Sequence, residues 1–382
     1  MKTCKLILTA LLVAQLLAAC TEQDIQMITT IHRDGSCQRE ITFTADSATL
    51  MGHPDAETLL SQSLSDSAWV KTWGIKGDTA LHAYPMTPEQ YSALRTSLPY
   101  DKLNDTLFIR AERCFASVEE MAATSILLFA GVPLLPQASL TKRFRWFYTY
   151  YTYQETYPVQ SQLFVYPLSK FMDDSVASYW FTGEPDLMQG YSPAEKKETY
   201  DLLEEQRDRW LVANYVAAAY DAIVYEGAGE MHDSLSGLSL DEDAYLANLD
   251  SLVNYALDRH FSLGDDIDSL FKSYFGNEVS VPAFASDRVE QQFERSLNAF
   301  MELMSLKVDY RLVLPGRVVN VGNGVMEEGA VRYRLTGSRL IPRDYTLTAT
   351  SRAVNVWAFV ITALVIILAV VSLFLSPQKK RD

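Results

Sequence analysis

Cysteine, histidine and positive charge are scarce in this 382-residue chain, which has 4 Cys and 5 His, and 33 Lys and Arg against 48 Asp and Glu. His32, His53, His82, His232 and His260 make no HExxH pair and no close ligand spacing, so a zinc hydrolase has no support and neither a metal nor a cofactor is expected. A Gly-x-Ser-x-Gly elbow is missing as well. Ser-x-x-Lys occurs from Ser139, Ser269 and Ser376, but no Lys-Thr-Gly follows any of them, so the matches are coincidental. A formal charge of -15 argues against nucleic acid, and against docking on anionic lipid through a basic face. The acidic runs Asp241-Glu242-Asp243 and Asp265-Asp266-Ile267-Asp268 lack EF-hand spacing and read as helix starts, where carboxylates favour the dipole. No long low-complexity tract occurs and 48% of residues are hydrophobic, so the body is expected to fold.

The two ends carry the clearest signals. MKTCKLILTALLVAQLLAAC has Lys2 and Lys5 before a short apolar run ending in small residues, the pattern of a secretory signal peptide over residues 1–19. Leu17-Ala18-Ala19-Cys20 looks like a lipobox, which would make Cys20 the acylated first residue of the mature chain. Val356 to Leu375 is uncharged, and twenty residues at helical rise span ~30 Å, so a transmembrane helix is expected over 354–376. Lys379, Lys380 and Arg381 in the tail, 377–382, would then be cytoplasmic by the positive-inside rule, with the body in the periplasm and the anchor in a bacterial inner membrane. Met121 to Thr141 is also uncharged, but Pro133 and Pro136 would break a spanning helix, so a buried helix and loop is expected there, with a membrane-dipping loop as the alternative.

With Cys4 in the signal peptide and Cys20 acylated, Cys37 and Cys114 remain in an oxidising compartment, and a disulfide between them is expected, with two buried thiols as the alternative. Asp followed by Ser or Thr and then an aliphatic or small residue occurs at Ser47, Ser67, Thr79, Thr106, Ser175, Ser234, Ser251 and Ser269. Composition predicts roughly two such tripeptides. They resemble acceptors of a bacterial periplasmic O-glycosylation system, and equally suit turns and helix caps.

Along the chain, Ile25 to Ala45 alternates apolar and polar residues around Asp34-Gly35, a hairpin turn pair. Short helices read at Asp55–Ser65 and Pro88–Ser97, and strands at Trp69–Trp73 and Thr106–Phe115, giving an α+β periplasmic region over 20–167. A helical subdomain follows over 168–305, where Leu203, Trp210, Ala217 and Val224 recur every seven residues. Asp241–His260 and Ser286–Met304 also read as amphipathic helices, before strand patterning returns in a membrane-proximal β region over 306–353. The expected fold is α+β: an extracytoplasmic mixed sheet with a helical insertion, between a lipoprotein signal peptide and one C-terminal transmembrane helix.

A lipidated Cys20 followed by a strand and the Asp34-Gly35-Ser36 turn, then Leu314-Pro315-Gly316-Arg317-Val318 with an Asn a few residues on, a further strand, and one C-terminal span with a basic tail together resemble the LppM-type envelope proteins. The resemblance covers residues 20–45 and 306–382 and implies an α+β extracytoplasmic domain of unassigned activity; the helical middle departs from the compact family pattern and reads as an insertion.

Phe144 to Tyr157 carries eight aromatic rings in fourteen residues. Read as one strand, it puts Phe144, Trp146, Tyr148 and Tyr150 on a face expected to be core, and Arg143, Arg145, Phe147, Tyr151 and Tyr153 on the other. Arg143, Arg145, Tyr151 and Tyr153 are thus the expected partner face. The functional expectation is a non-enzymatic, membrane-anchored envelope lipoprotein whose body binds a protein or lipid partner. The alternative is a hydrolase of cell-wall or glycan polymers, which needs facing carboxylates with a raised pKa.

Overall fold

The computed structural model describes residues 25–53, 64, 66–97, 106–124, 128–129, 132–227, 242–275 and 287–375. In chain order the strands of the N-terminal part are β1 (Ile25–Ile31), β2 (Cys37–Thr44), β3 (Val70–Ile75), β4 (Leu81–Ala83) and β5 (Leu107–Phe115), then the two-residue β6 (Leu128–Phe129) and β7 (Val132–Pro133), and finally β8 (Gln137–Arg145) and β9 (Tyr148–Tyr157). The C-terminal strands are β10 (Lys307–Val313), β11 (Arg317–Asn320), β12 (Val325–Glu327), β13 (Ala330–Thr336) and β14 (Tyr345–Val354). They build an eight-stranded sheet, β12-β13-β10-β1-β2-β5-β3-β4, and a four-stranded sheet, β11-β14-β9-β8, with β6 and β7 pairing separately.

The class is mixed α+β. The strands of the N-terminal region and those of the region after residue 306 share one sheet, because β1 lies parallel to β10 with Ile25 opposite Val308. Parallel pairing needs a long crossover. Here the crossover contains the entire helical middle, whose helices are α4 (Asp174–Thr182), α5 (Pro193–Gly227), α6 (Glu242–Asp258), α7 (Ile267–Phe275) and α8 (Asp287–Ser305), after the short α1 (Ser47–Leu50), α2 (Pro88–Ser97) and α3 (Val118–Ala123). Leu203, Trp210, Ala217 and Val224 are all buried, on the face of α5 that their spacing selects. Trp210 joins the sheet core, where it packs at a tilt on Phe164 and meets Phe181 edge-on, while α5 from Val212 to Val224 packs in a second core with α6 and α7. The described residues of Met121 to Thr141 include the end of α3, β6, β7 and the start of β8, so where a buried helix and loop was expected most of them are strand.

Asp34-Gly35 turns the β1–β2 hairpin as its chemistry requires. Gly35 has φ +100°, and Asp34 Oδ1 accepts from the Ser36 backbone N at 3.0 Å and Oγ at 2.7 Å. Lys142 of β8 donates to the Asp34 carbonyl, and Tyr151 donates to the Arg33 carbonyl at 3.2 Å, so the four-stranded sheet closes over this turn.

Between the two sheets lies an enclosed ion pair. Arg39 of β2 donates through Nη2 to both Glu155 oxygens of β9, at 2.9 and 3.1 Å, and through Nε to Thr29 Oγ1 at 3.1 Å. Tyr153 and Tyr310 donate to Glu155 Oε2, each at 2.7 Å, and Tyr157 to Oε1 at 3.1 Å. Arg39 is 2% exposed and Glu155 0%. Burial works against the guanidinium charge, yet Glu155 and the surrounding tyrosines hold it protonated well above its ordinary range. Burial and the adjacent Glu155 charge push Tyr153 and Tyr157 well above the usual phenol range, so both remain donors.

The expected transmembrane helix is corrected here. A helix, α9 (Val356–Leu375), does follow β14, but no helix among the described residues is long and apolar enough to cross a membrane. Trp357, Phe359 and Thr362 in its first two turns are engaged by the β8–β9 turn, and the remainder, 363–375, rises only about 20 Å against a hydrocarbon core of about 30 Å.

Removing one partner of the buried pair leaves the other charged and enclosed, so Arg39→Met or Glu155→Leu alone is expected to lower stability by about 3–5 kcal/mol. Replacing both together is expected to cost clearly less than the sum, measured by denaturant unfolding.

Candidate docking site at the aromatic turn

The fourteen-residue aromatic stretch is not one strand. Arg145 pairs with Tyr148, so the chain reverses at Trp146-Phe147, a pair with no intrinsic turn preference. The turn's carbonyls are satisfied from the start of α9 instead. The Asn355 backbone N donates to the Phe147 carbonyl at 2.9 Å, and its Nδ2 to the carbonyls of Arg145 and Trp146 at 2.9 and 3.3 Å. Asn355 Oδ1 accepts from Thr149 Oγ1 at 3.0 Å. One asparagine thereby ties a hairpin turn to a helix more than two hundred residues later.

Aromatic packing extends this junction. Phe144 lies parallel to Trp357 at 6.1 Å, Trp146 meets Trp357 edge-on at 5.4 Å, and Phe147 packs on Phe359 at 4.6 Å. Trp146 Nε1 donates to Thr362 Oγ1 at 2.8 Å. Phe144 and Trp146 nevertheless remain 57% and 47% exposed, continuous with a helix whose large apolar side chains are exposed from Val356 at 66% to Leu368 at 67%, Ala358 beside the turn being buried.

The expected assignment of faces is therefore inverted. Phe144 and Trp146 lie outside the core, whereas Tyr151 and Tyr153, expected on the partner face, are buried at 5% and 0%. The reversal at Trp146-Phe147 makes the odd-numbered residues of β9 inward, with Tyr153, Glu155 and Tyr157 enclosing Arg39. Arg143 and Arg145 are exposed. Arg352 and Asn355 were not singled out by sequence reasoning, and Arg317 only within the LppM-type motif, because only sheet register brings them to this end.

Cys37 and Cys114 are free thiols. Their positions on β2 and β5 differ by one register step, Cys37 facing Phe115 and Gln38 facing Cys114, so one points into the core and the other to solvent. Opposite faces of one sheet forbid the expected disulfide. Cys37 donates to the Ser117 carbonyl at 3.4 Å, and burial pushes its thiol pKa up to about 11.

Cys20 lies outside the described residues, as do the signal peptide, the basic tail and Ser234. Among the other Asp-Ser/Thr positions, Ser67, Thr79, Ser175, Ser251 and Ser269 are exposed, while Ser47 and Thr106 are half-buried. Three of the preceding aspartates close local turns: Asp46 accepts from Thr49 N, Asp66 from Ala68 N and Asp78 from Ala80 N, which accounts for their placement without invoking a sugar.

The hydrolase alternative needs facing carboxylates. A cleft of 380 Å³ opens between the Val159–Ser169 segment, α4 and Ile341–Arg343, floored by Trp210, and among the described residues Asp174 is the only carboxylate lining it. Asp221 on α5 is pushed up to about 6 by burial but does not line this cleft. No cluster of three or more His, Cys, Asp or Glu among the described residues could hold a metal ion.

Alkylation of the folded chain without reductant is expected to label Cys114 promptly and Cys37 only after unfolding. Protection of both until a reductant is added would instead reveal a disulfide. In comparisons with known proteins the chain matches no family model, no curated protein and no solved structure.

Proposed function

We propose that the chain is a non-enzymatic envelope lipoprotein, acylated at Cys20 and held at the periplasmic side of a bacterial inner membrane, whose body binds a protein or lipid partner. The observation that carries this reading is the apolar surface formed by α9 with Phe144 and Trp146. Single exposed apolar residues are ordinary, but a contiguous patch of this kind marks a surface that another molecule covers. A helix apolar all round is stable only when something buries it. The LppM-type resemblance belongs to the same proposal. Its two matched segments, distant in sequence, become neighbours through the β1–β10 pairing, which favours reading them as one unit.

Two measurements in cells test the reading. Labelled fatty acid is expected to enter the wild-type chain and not Cys20→Ser. A photocrosslinking residue at Leu364 is expected to capture a lipid or one defined protein, while the same residue at Ser139, on the far part of β8, captures neither. An unlabelled Cys20 would overturn the lipoprotein assignment. A Leu364 probe that reacts only with water would overturn the partner surface.

A further inference from the structure

Sheet register reveals a surface that net charge conceals. Arg143 of β8 stands opposite Tyr150 of β9, Tyr150 opposite Arg352 of β14, and Arg352 opposite Arg317 of β11. Residues paired across strands share a face. These four side chains therefore form one row across the outer side of the four-stranded sheet. The next row towards α9 is Arg145, Tyr148 and Val354, and the next away from it is Thr141, Thr152, Thr350 and Asn320.

The four strands contain one acidic residue, Glu155, and it points inward to Arg39. Hence the outer face carries four arginines and no carboxylate, in a chain of formal charge -15. None of the four forms an ion pair with a described residue; Arg352 lies over the Tyr148 ring at 5.0 Å. A net negative charge is thus compatible with a basic face, because strand register separates the signs.

We propose that this arginine face rests on the phosphate headgroups of an anionic lipid surface. The inference rests on the envelope reading above and names the partner of one particular face. Position decides for lipid over a soluble polyanion. From the helix outward the order is exposed apolar α9, the indoles of Trp357 and Trp146, the arginines with Tyr148 and Tyr150, then threonines. A lipid leaflet presents the matching order of acyl chain, interface, phosphate and water, and indole and phenol rings favour its middle layer. A soluble polyanion would use the arginines and leave the adjoining helix uncovered. Each arginine near an anionic surface contributes about fivefold in affinity, equivalent to about 1 kcal/mol.

The test uses the acylated full chain reconstituted on vesicles of phosphatidylcholine alone, or with a third replaced by phosphatidylglycerol. An arginine-directed dicarbonyl reagent is then mapped by mass spectrometry. Arg143, Arg145, Arg317 and Arg352 are expected to lose reactivity severalfold on the anionic vesicles only, and to regain it in high salt, whereas Arg110 and Arg332 elsewhere are unchanged. Arg143→Gln with Arg317→Gln should reduce the preference for anionic over neutral vesicles by about fivefold per residue. Equal reactivity on both vesicles, or protection by a soluble acidic polysaccharide but not by vesicles, overturns the proposal. With Cys20 acylated and Leu364 crosslinking intact, such a result removes the headgroup assignment alone. Loss of those two signals would instead remove the envelope reading beneath it.

Discussion

The ion pair between Arg39 and Glu155 decides which way β9 faces, and much else follows from that orientation. Glu155 accepts from Arg39, Tyr153, Tyr157 and Tyr310, so its charge is met on both oxygens by groups drawn from both sheets. A buried charge pair adds little stability over an apolar core of the same shape, but an incomplete one is very costly. Its effect here is on specificity. A one-residue slip of β9 would send Glu155 to the outer face and bring Thr156 and Gln154 inward, leaving Arg39 enclosed and unpaired. With Glu155 held inside, Tyr148 and Tyr150 must face out, and their cross-strand neighbours Arg143, Arg145, Arg317 and Arg352 face out beside them.

The same register explains why an acidic protein can present a basic face. Charge counted along the chain averages the acidic helices with the strands. Counted by sheet face, the four strands that form the outer layer hold their only carboxylate on the core side. The face ends where α9 begins, and Asn355 joins the two by bonding three carbonyls of the β8–β9 turn. Aromatic, cationic and apolar surfaces are therefore parts of one junction whose relative placement is set by hydrogen bonds.

Local patterns were legible where the governing interaction is local. The Asp34-Gly35 hairpin, the face of α5 marked by Trp210 and Ala217, and the return of strands after residue 306 all follow from neighbouring residues. The β8–β9 turn was not legible, because Trp146-Phe147 has no turn chemistry of its own and Asn355 supplies it from afar. The error spread from there, since reading the stretch as one strand reversed the inside and outside of Tyr151 and Tyr153. Cys37 and Cys114 illustrate a different limit: the compartment argument concerned the oxidation of two thiols, and pairing in the sheet put them on opposite faces. The apolar run of α9 was legible as a helix, but the loss of its first turns to the hairpin was not, and with it went the expected span.

The central claim is that one end of the outer sheet face meets lipid while the other remains in water. Val354 and Gln137 mark its two ends, eight residues apart in register and thus separated by about 27 Å. Spin labels at Val354→Cys and at Gln137→Cys, each in a Cys114→Ser background, report their surroundings by collision with oxygen, which concentrates in membranes, and with a water-soluble nickel complex. On vesicles containing phosphatidylglycerol the label at 354 should gain oxygen collisions and lose nickel collisions, while the label at 137 stays as it was in detergent-free buffer. Labels that remain equally open to nickel at both positions would contradict the account.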